Sequence, residues 1–200
     1  MRQTAWWGLL SSAAAPVLLI GGWTVAAALQ PGEFDSVTMT ISALAGRGAT
    51  DRAVMTVALA GLGACHLLTA SALHPVAVPG RVLLGLGGAA TVLVSVFPLP
   101  ADDSPAPMHT AVATVALTAL AVWPAASWRR HPPTWVLRAG VSVGATAVLL
   151  AALGWFAVEL VSNGAAIGLA ERVAAGSQAL CPLVVVLASR RPTQPNTTNN

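Results

Sequence analysis

Charged side chains are scarce in this sequence, and two residue types are missing from it. Only 8% of the 200 residues are charged, whereas a soluble globular domain has about 25%. The chain contains no tyrosine and no lysine, so all ten basic residues are arginine. Hydrophobic residues make up 56% of the chain. This composition excludes a soluble globular domain and predicts an integral membrane protein.

Cysteine is also rare, and the common cofactor motifs are absent. Cys65 and Cys181 fall inside apolar runs, so we expect buried free thiols rather than a disulfide framework. The sequence has no phosphate-binding loop, dinucleotide-binding glycine fingerprint, Ser-His-Asp order or Cys-x-x-Cys motif. His66 and His109 lie about 20 Å and about 5 Å below the outer helix ends, too far apart to share a haem or a metal. We therefore predict no cofactor and no metal site.

Six apolar runs are long enough to cross a bilayer, whose hydrocarbon core of about 30 Å needs about 20 helical residues. They are separated by proline, glycine and charge, and they cover residues 5–29, 53–74, 80–99, 106–128, 134–160 and 165–189. The prediction is an all-α membrane bundle of six helices that forms one domain over residues 1–191. Residues 192–200 offer nothing apolar to bury, which predicts a disordered tail.

The arginines divide unevenly between the two sides of this bundle. Arg47 and Arg52 fall on one side, and seven fall on the other: Arg2, Arg81, Arg129, Arg130, Arg138, Arg190 and Arg191. The positive-inside rule then predicts cytoplasmic termini, so the basic pI of about 10.1 reflects membrane topology and not nucleic-acid binding. The lipid bilayer is the predicted partner. Because the composition is typical of a GC-rich bacterial genome, we expect the bacterial cytoplasmic membrane.

All seven acidic residues fall on or near the predicted outer side. They are Glu33, Asp35, Asp51, Asp102, Asp103, Glu159 and Glu171. The first outer loop, 30–51, is too long for a simple connection, and loops of that length are usually functional or disordered. Its mixed segment from Thr38 to Ala45 predicts a short helix on the outer surface.

Glu159 and Trp155 are four residues apart, so they share one face of the fifth predicted helix, with Phe156 beside them. Apolar surroundings favour the protonated form of a carboxyl group, which would make Glu159 a proton donor. The alternative is equally open: Glu159 ends the helix at the water interface, and Trp155 belongs to the aromatic belt.

Glu171 and Arg172 lie within the sixth predicted helix, where a charge costs about 3 kcal/mol on insertion scales. Adjacent helical side chains point about 100° apart, so the two are poor partners for each other. Arg172 is expected to reach an acid elsewhere, such as Glu159 or Asp35. A buried ion pair that fixes helix register is the structural alternative.

His109 enters the fourth predicted helix about one turn from its outer end, in the layer of Glu159 and Glu171. It could act as a base, as a hydrogen-bond donor or as a satisfied interfacial residue. The preceding Asp102, Asp103 and Ser104 are natural helix caps, and capping alone could explain them.

Aromatic side chains surround these acids in the predicted outer half: Trp23, Phe34, Phe97, Trp155 and Phe156. A pocket with aromatic walls beside acids would suit an apolar substrate that passes through a cation, because a ring face attracts positive charge. The same rings could equally form the outer aromatic belt. Glycines 61, 85, 88, 140, 144, 168 and 176 are expected at close helix contacts.

Several segments together resemble a large family of small six-helix bacterial membrane proteins of unknown function. They include Gly22-Trp23, Ala28 to Gly32, Thr40 to Gly48, Gly63 to His66, Phe97-Pro98, Gly168 to Arg172 and Gln178 to Leu180. The resemblance covers nearly the whole chain and implies the six-helix fold, but it implies no common activity.

In size and layout the chain also resembles the membrane-bound terpene cyclases of indole sesquiterpenoid and drimane-type alkaloid pathways. That resemblance implies metal-independent, proton-initiated cyclisation of a prenylated, farnesyl-type substrate. Glu159 or Glu171 would be the proton donor, with His109 and Asp35 as further catalytic candidates. The substrate-binding candidates are Trp23, Trp155, Phe156, Phe97, Ser42 and Arg172. The alternatives are a non-catalytic lipid-binding, isoprenoid-binding or accessory membrane protein and a small transporter; the sequence predicts no oligomeric state.

Overall fold

The computed structural model describes residues 4–32, 34–102 and 104–190, and these form an all-α bundle. Its helices are α1 (Trp6–Ala28), α2 (Ile41–Ala45), α3 (Ala53–Ala72), α4 (Val78–Val96), α5 (Pro107–Val122), α6 (Ala139–Ser162) and α7 (Ile167–Arg190). Five of them, α1, α3, α4, α6 and α7, are long and apolar enough to cross a membrane. The polytopic helical bundle predicted from the sequence is thus confirmed, and the predicted short loop helix is α2.

Helix α5 is apolar but shorter than the predicted run 106–128, since it has 16 residues. It ends at Val122 because Pro124 has no N–H to donate and its ring clashes with a continuing helix. The chain then makes a buried turn over 123–127. Proline also ends α4 early, because Phe97 precedes Pro98 and the residue before proline avoids helical geometry.

The predicted run 134–160 is divided in the structure. Residues Trp135–Leu137 form a short 3₁₀ turn, and α6 begins only at Ala139 and continues to Ser162. Most of α6 lies on the outside of the bundle, since only 11% of its most apolar 18-residue segment is buried. Val148 and Val158 are 67% and 61% exposed. An apolar surface of this extent is typical of a helix that faces lipid.

Hydrogen bonds between loops define two ends of the bundle. At the end that we call the acidic end, formed by loops 29–52, 97–106 and 163–166, the Arg47 N–H donates to the Leu99 carbonyl at 2.9 Å. At the arginine end, formed by loops 73–77 and 123–138, Arg129 Nη2 donates to the Val76 carbonyl at 3.0 Å. Glu33, Asp103, Arg2, Arg191 and the predicted tail 192–200 lie outside the described residues.

Helices α3 and α4 approach each other backbone to backbone at two glycines. A Cβ added to Gly88 would lie 2.8 Å from the Gly63 carbonyl oxygen, and one added to Gly63 would lie 2.5 Å from the Gly88 oxygen. Small residues here let the two backbones touch. The same expectation was wrong for Gly140 and Gly144 on α6, where a Cβ would meet no atom of the described residues within 4 Å, because that helix faces outward.

Candidate functional site

The long loop between α1 and α3 is fastened at its base and carries α2. The Gln30 side chain accepts a hydrogen bond from the Thr50 N–H and donates one to the Thr50 carbonyl, both at 3.0 Å. Thr40 begins α2 by accepting a hydrogen bond from the Ala43 N–H at 3.1 Å, as an N-cap does. The loop is therefore a folded part of the acidic end.

Glu171 is buried, with 7% of its surface exposed, and its carboxyl group binds the start of α2. One oxygen accepts the Ile41 N–H, and the other accepts the Ser42 hydroxyl at 2.9 Å. The first N–H groups of a helix have no partner inside it, and an anion is favoured beside them. Glu171 thereby joins α7 to α2.

Arg172 bonds to backbone and not to the acid that we expected from the sequence. Its Nη1 donates to the carbonyls of Ser36, Met39 and Gly168 at 2.8–2.9 Å. The guanidinium carbon lies 5.8 Å from the ring centroids of both Trp23 and Phe34, a distance at which cation–π attraction acts. All three hydrogen bonds come from the one nitrogen Nη1, whose two N–H groups must be shared among the three carbonyls.

Gly168 allows this close approach between α7 and the loop. A Cβ at this position would overlap the Met39 carbonyl group, so any side chain would push the loop away. The backbone contact continues at the next residue of α7, where the Leu169 N–H donates to the Val37 carbonyl at 3.0 Å. Gly168 was expected at a close helix contact, whereas it packs against loop backbone.

Asp35 forms a turn at the beginning of the same loop. Its carboxylate accepts the Val37 N–H at 2.8 Å and the Thr38 hydroxyl at 3.0 Å. These hydrogen bonds stabilise the anion and hold the pKa of Asp35 below its ordinary value, with a smaller lowering from the charge of Arg172. Asp35 shapes the loop rather than facing an enclosed space.

An apolar groove of about 380 Å³ runs between α5 and α6 and ends at Glu171 and Ser42. Its walls include Leu117 on α5 and Phe156 and Leu160 on α6. Thr110, Thr114 and Thr118 along the groove are exposed, so it opens on the side of the bundle. The hydroxyls of Thr110 and Thr114 donate to carbonyls one turn back and need no other partner.

His109 lines this groove near its polar end. Its Nδ1 is 2.8 Å from the Phe97 carbonyl oxygen. A carbonyl can only accept, so Nδ1 carries the proton, and Nε2 is left available as an acceptor in the neutral ring. His109 and Glu171 are the two groups lining the groove that can exchange a proton.

Glu159 lies apart from the groove and fastens the connection between α6 and α7. One carboxylate oxygen accepts the Trp155 indole N–H at 3.2 Å, and the other accepts the Ala166 N–H at 2.9 Å. The predicted Trp155–Glu159 face is therefore present. Its contacts match the structural alternative, in which Glu159 ends the helix, because both carboxylate oxygens serve local groups.

The structure separates the predicted aromatic wall into different places. Phe156 lines the groove, whereas Trp155 is 38% exposed on the side of α6. Trp23 packs against Arg172, and Phe97 lines a separate surface pocket beside the α4–α5 loop. Of the predicted site residues, Glu171, Ser42, His109 and Phe156 are brought together.

Asp102 closes a local turn instead of capping α5. It accepts the Ser104 hydroxyl at 2.6 Å, which keeps the pKa of Asp102 below its ordinary value, while α5 begins later, at Pro107. Among residues 4–32, 34–102 and 104–190, no three His, Cys, Asp or Glu side chains are grouped to hold a metal ion.

Sequence reasoning missed a second polar group, deeper in the bundle. His66 on α3 and Gln178 on α7 are each 1% exposed and line a small cavity of about 70 Å³ that also reaches Glu171. His66 was considered as a haem or metal ligand, and both His66 and Gln178 were among the residues of the family resemblance, but neither was predicted to line a site. The available signal was a polar residue within each of two membrane helices, since such residues usually face the bundle interior.

Comparison with known proteins identifies the family but no activity. Residues 13–188 match the family described as "Protein of unknown function (DUF998)". No curated protein and no solved structure matches the chain. The match covers most of the 200 residues, and the chain therefore belongs to this family of proteins of unknown function.

Proposed function

We propose that this protein binds an isoprenoid-type lipid in the groove between α5 and α6. One observation carries the proposal: a buried carboxyl group, Glu171, lines an apolar groove that opens on the side of a membrane bundle. Ligand pockets are typically apolar, with a few polar groups that fix orientation. A chain could enter this groove sideways from the bilayer, with its polar end towards Glu171 and Ser42.

The sidedness of this proposal comes from charge. Arginines crowd the arginine end, so the positive-inside rule would put that end and both termini in the cytoplasm. The groove would then lie in the outer leaflet of a bacterial cytoplasmic membrane. Its ligand would be drawn from that leaflet.

Proton-initiated cyclisation of the bound chain is a second candidate function, favoured by the presence of both Glu171 and His109 along one apolar groove. The Glu171 O–H would break as its proton forms a new C–H bond with a terminal alkene, or opens a terminal epoxide to an alcohol. Further π bonds would attack the resulting cation and close rings. A proton would finally leave to His109 Nε2, forming the last alkene.

Binding ranks first because the Glu171 oxygens are already engaged by Ile41 and Ser42. A protonated Glu171 is still compatible with these contacts, because the Ser42 hydroxyl can accept as well as donate. Binding of the lipid chain must therefore be demonstrated before its cyclisation is tested.

The test uses the purified protein in lipid nanodiscs with farnesylated indoles, with and without a terminal epoxide. Retained ligand and any product of equal mass but changed retention time are measured by mass spectrometry. Ala157→Trp fills the groove from α6, and Val158→Trp, one position along, is the matched control. We expect retention by the wild type and Val158→Trp and loss in Ala157→Trp. Equal retention by all three proteins would overturn the binding proposal.

Conversion is assigned by a second pair of variants. A cyclised product that disappears in Glu171→Gln but persists in Glu159→Gln would support the cyclase and name its acid. Retention without any product would leave the protein as a lipid-binding protein and remove the cyclase candidate.

A further inference from the structure

Behind Glu171 lies the small cavity of about 70 Å³, lined by residues of α1, α2, α3, α4, α5 and α7. It has room for a few water molecules or a small head group and not for a lipid chain. Five polar side chains line it among otherwise apolar walls: Ser42, His66, Thr91, Glu171 and Gln178. A polar lining of this kind, deep within a membrane bundle, points to a polar occupant.

Three buried atoms along this cavity have no hydrogen-bond partner among the residues that the structure describes. They are both ring nitrogens of His66 and Oε1 of Gln178. Gln178 is held in place because its Nε2 donates to the Leu117 carbonyl at 3.0 Å. The Thr91 hydroxyl donates to the Gly87 carbonyl at 2.8 Å and keeps its oxygen free to accept. Because buried polar atoms are nearly always hydrogen-bonded, this set requires a bound group that both donates and accepts.

The cavity and the groove share one wall. Ser42, Ala113, Leu117 and Glu171 line both spaces, so the cavity and the groove adjoin at these residues. A lipid chain lying in the groove would bring its polar end to this wall. The cavity is therefore placed to receive the head group of the lipid whose chain the groove holds.

Charge decides which head group fits. Among the described residues, no arginine lines the cavity, and the nearest in sequence, Arg172, donates to the carbonyls of Ser36, Met39 and Gly168. A phosphate or diphosphate would meet the Glu171 carboxyl group without a cation to balance it. A neutral imidazole offers one donor and one acceptor, and the Gln178 oxygen offers another acceptor, which suits a hydroxyl group.

We infer that this cavity is a head-group subsite that selects an isoprenoid alcohol over the corresponding phosphate ester and over the plain hydrocarbon. The inference rests on the proposed function, since the groove must hold the chain. It adds the chemical class of the ligand and assigns His66 and Gln178 as the residues that recognise it.

The experiment measures farnesol, farnesyl phosphate and farnesene retained by the protein in nanodiscs, each offered at equal mole fraction and quantified by mass spectrometry after capture. We expect farnesol to be retained about tenfold more tightly than farnesene, as one or two net hydrogen bonds would give, and farnesyl phosphate to be retained least. His66→Leu and Gln178→Leu should each lower the retention of farnesol nearly to that of farnesene. His74→Leu, outside the cavity, is the matched control.

The wild-type preference tests the inference even if a cavity variant fails to fold. Equal retention of farnesol and farnesene would mean that the cavity holds only water, which overturns the head-group subsite but leaves the groove proposal intact. A preference for farnesyl phosphate would also overturn it. Retention of none of the three would overturn the proposed function itself.

Discussion

The Glu171 carboxyl group and the Ser42 hydroxyl, 129 residues apart in the chain, meet at 2.9 Å and join α7 to the loop helix α2. The adjacent Arg172 holds the same loop by the carbonyls of Ser36 and Met39. Glu171 thus accepts hydrogen bonds from the start of α2, and its neighbour Arg172 donates hydrogen bonds to carbonyls of the same loop. This double attachment holds the loop against α7.

Glu171→Leu should destabilise the bundle more than Glu171→Gln. Glutamine can still accept the Ile41 N–H through its amide oxygen, so we expect a loss of about 1 kcal/mol in the free energy of unfolding. Leucine leaves the buried Ile41 N–H and the half-buried Ser42 hydroxyl without their partner, and we expect a loss of about 2–4 kcal/mol. Denaturant-induced unfolding of each variant in detergent measures the two losses in free energy. Equal losses in the two variants would show that the hydrogen bonds to Glu171 contribute little.

Arg172→Lys should loosen the loop even though the charge is kept. An ammonium group could still donate to the carbonyls, but it lacks the planar guanidinium face that lies over the Trp23 and Phe34 rings. We expect faster hydrogen exchange at the Leu169 N–H, which donates to the Val37 carbonyl. Arg81→Lys is the control, because Arg81 donates to the Ala70 carbonyl at the opposite end. Unchanged exchange at Leu169 in Arg172→Lys would contradict this role.

Gly88→Ala should separate α3 from α4. The added Cβ would lie 2.8 Å from the Gly63 oxygen, which is too close for contact, so we expect a destabilisation of about 1–3 kcal/mol. Gly144→Ala on the lipid-facing α6 has open space and should be neutral or stabilising by up to about 1 kcal/mol, from helix propensity. Thermal unfolding of the two variants in one detergent gives the comparison. The prediction fails if Gly88→Ala unfolds at or above the temperature of Gly144→Ala.

The turn at Asp35 should open in acid. The folded pKa of Asp35 lies below its ordinary value of 3.8, so its contribution to stability is present above that value. The contribution is lost as the pH falls through the lowered folded pKa. Hydrogen exchange at the Val37 N–H, measured relative to an Asp35→Asn variant at each pH, should therefore show protection that disappears on acidification. If the ratio of the two exchange rates does not change with pH, protonation of Asp35 does not open the turn.

Composition and hydropathy alone determined the class of this protein. Apolar character summed over about 20 residues decides whether a helix prefers lipid, and this sum needs no knowledge of neighbours. The same reasoning identified the loop helix α2, because the mixed pattern around Thr40 to Ala45 is local. It also indicated Glu171 and Arg172 as interior residues, since a charge within a membrane helix requires a partner.

Only the tertiary structure decided what these residues contact. Glu159 and Glu171 look equivalent in the sequence, but helix rotation turns Glu171 to the groove and leaves Glu159 to the α6–α7 connection. Arg172 contacts carbonyls instead of a carboxylate, because Gly168 lets the loop backbone lie directly against α7. His66 and Gln178 share one cavity although they lie on different helices far apart in the chain. Convergence of this kind depends on helix packing and loop path, which are set by long-range contacts and not by local pattern.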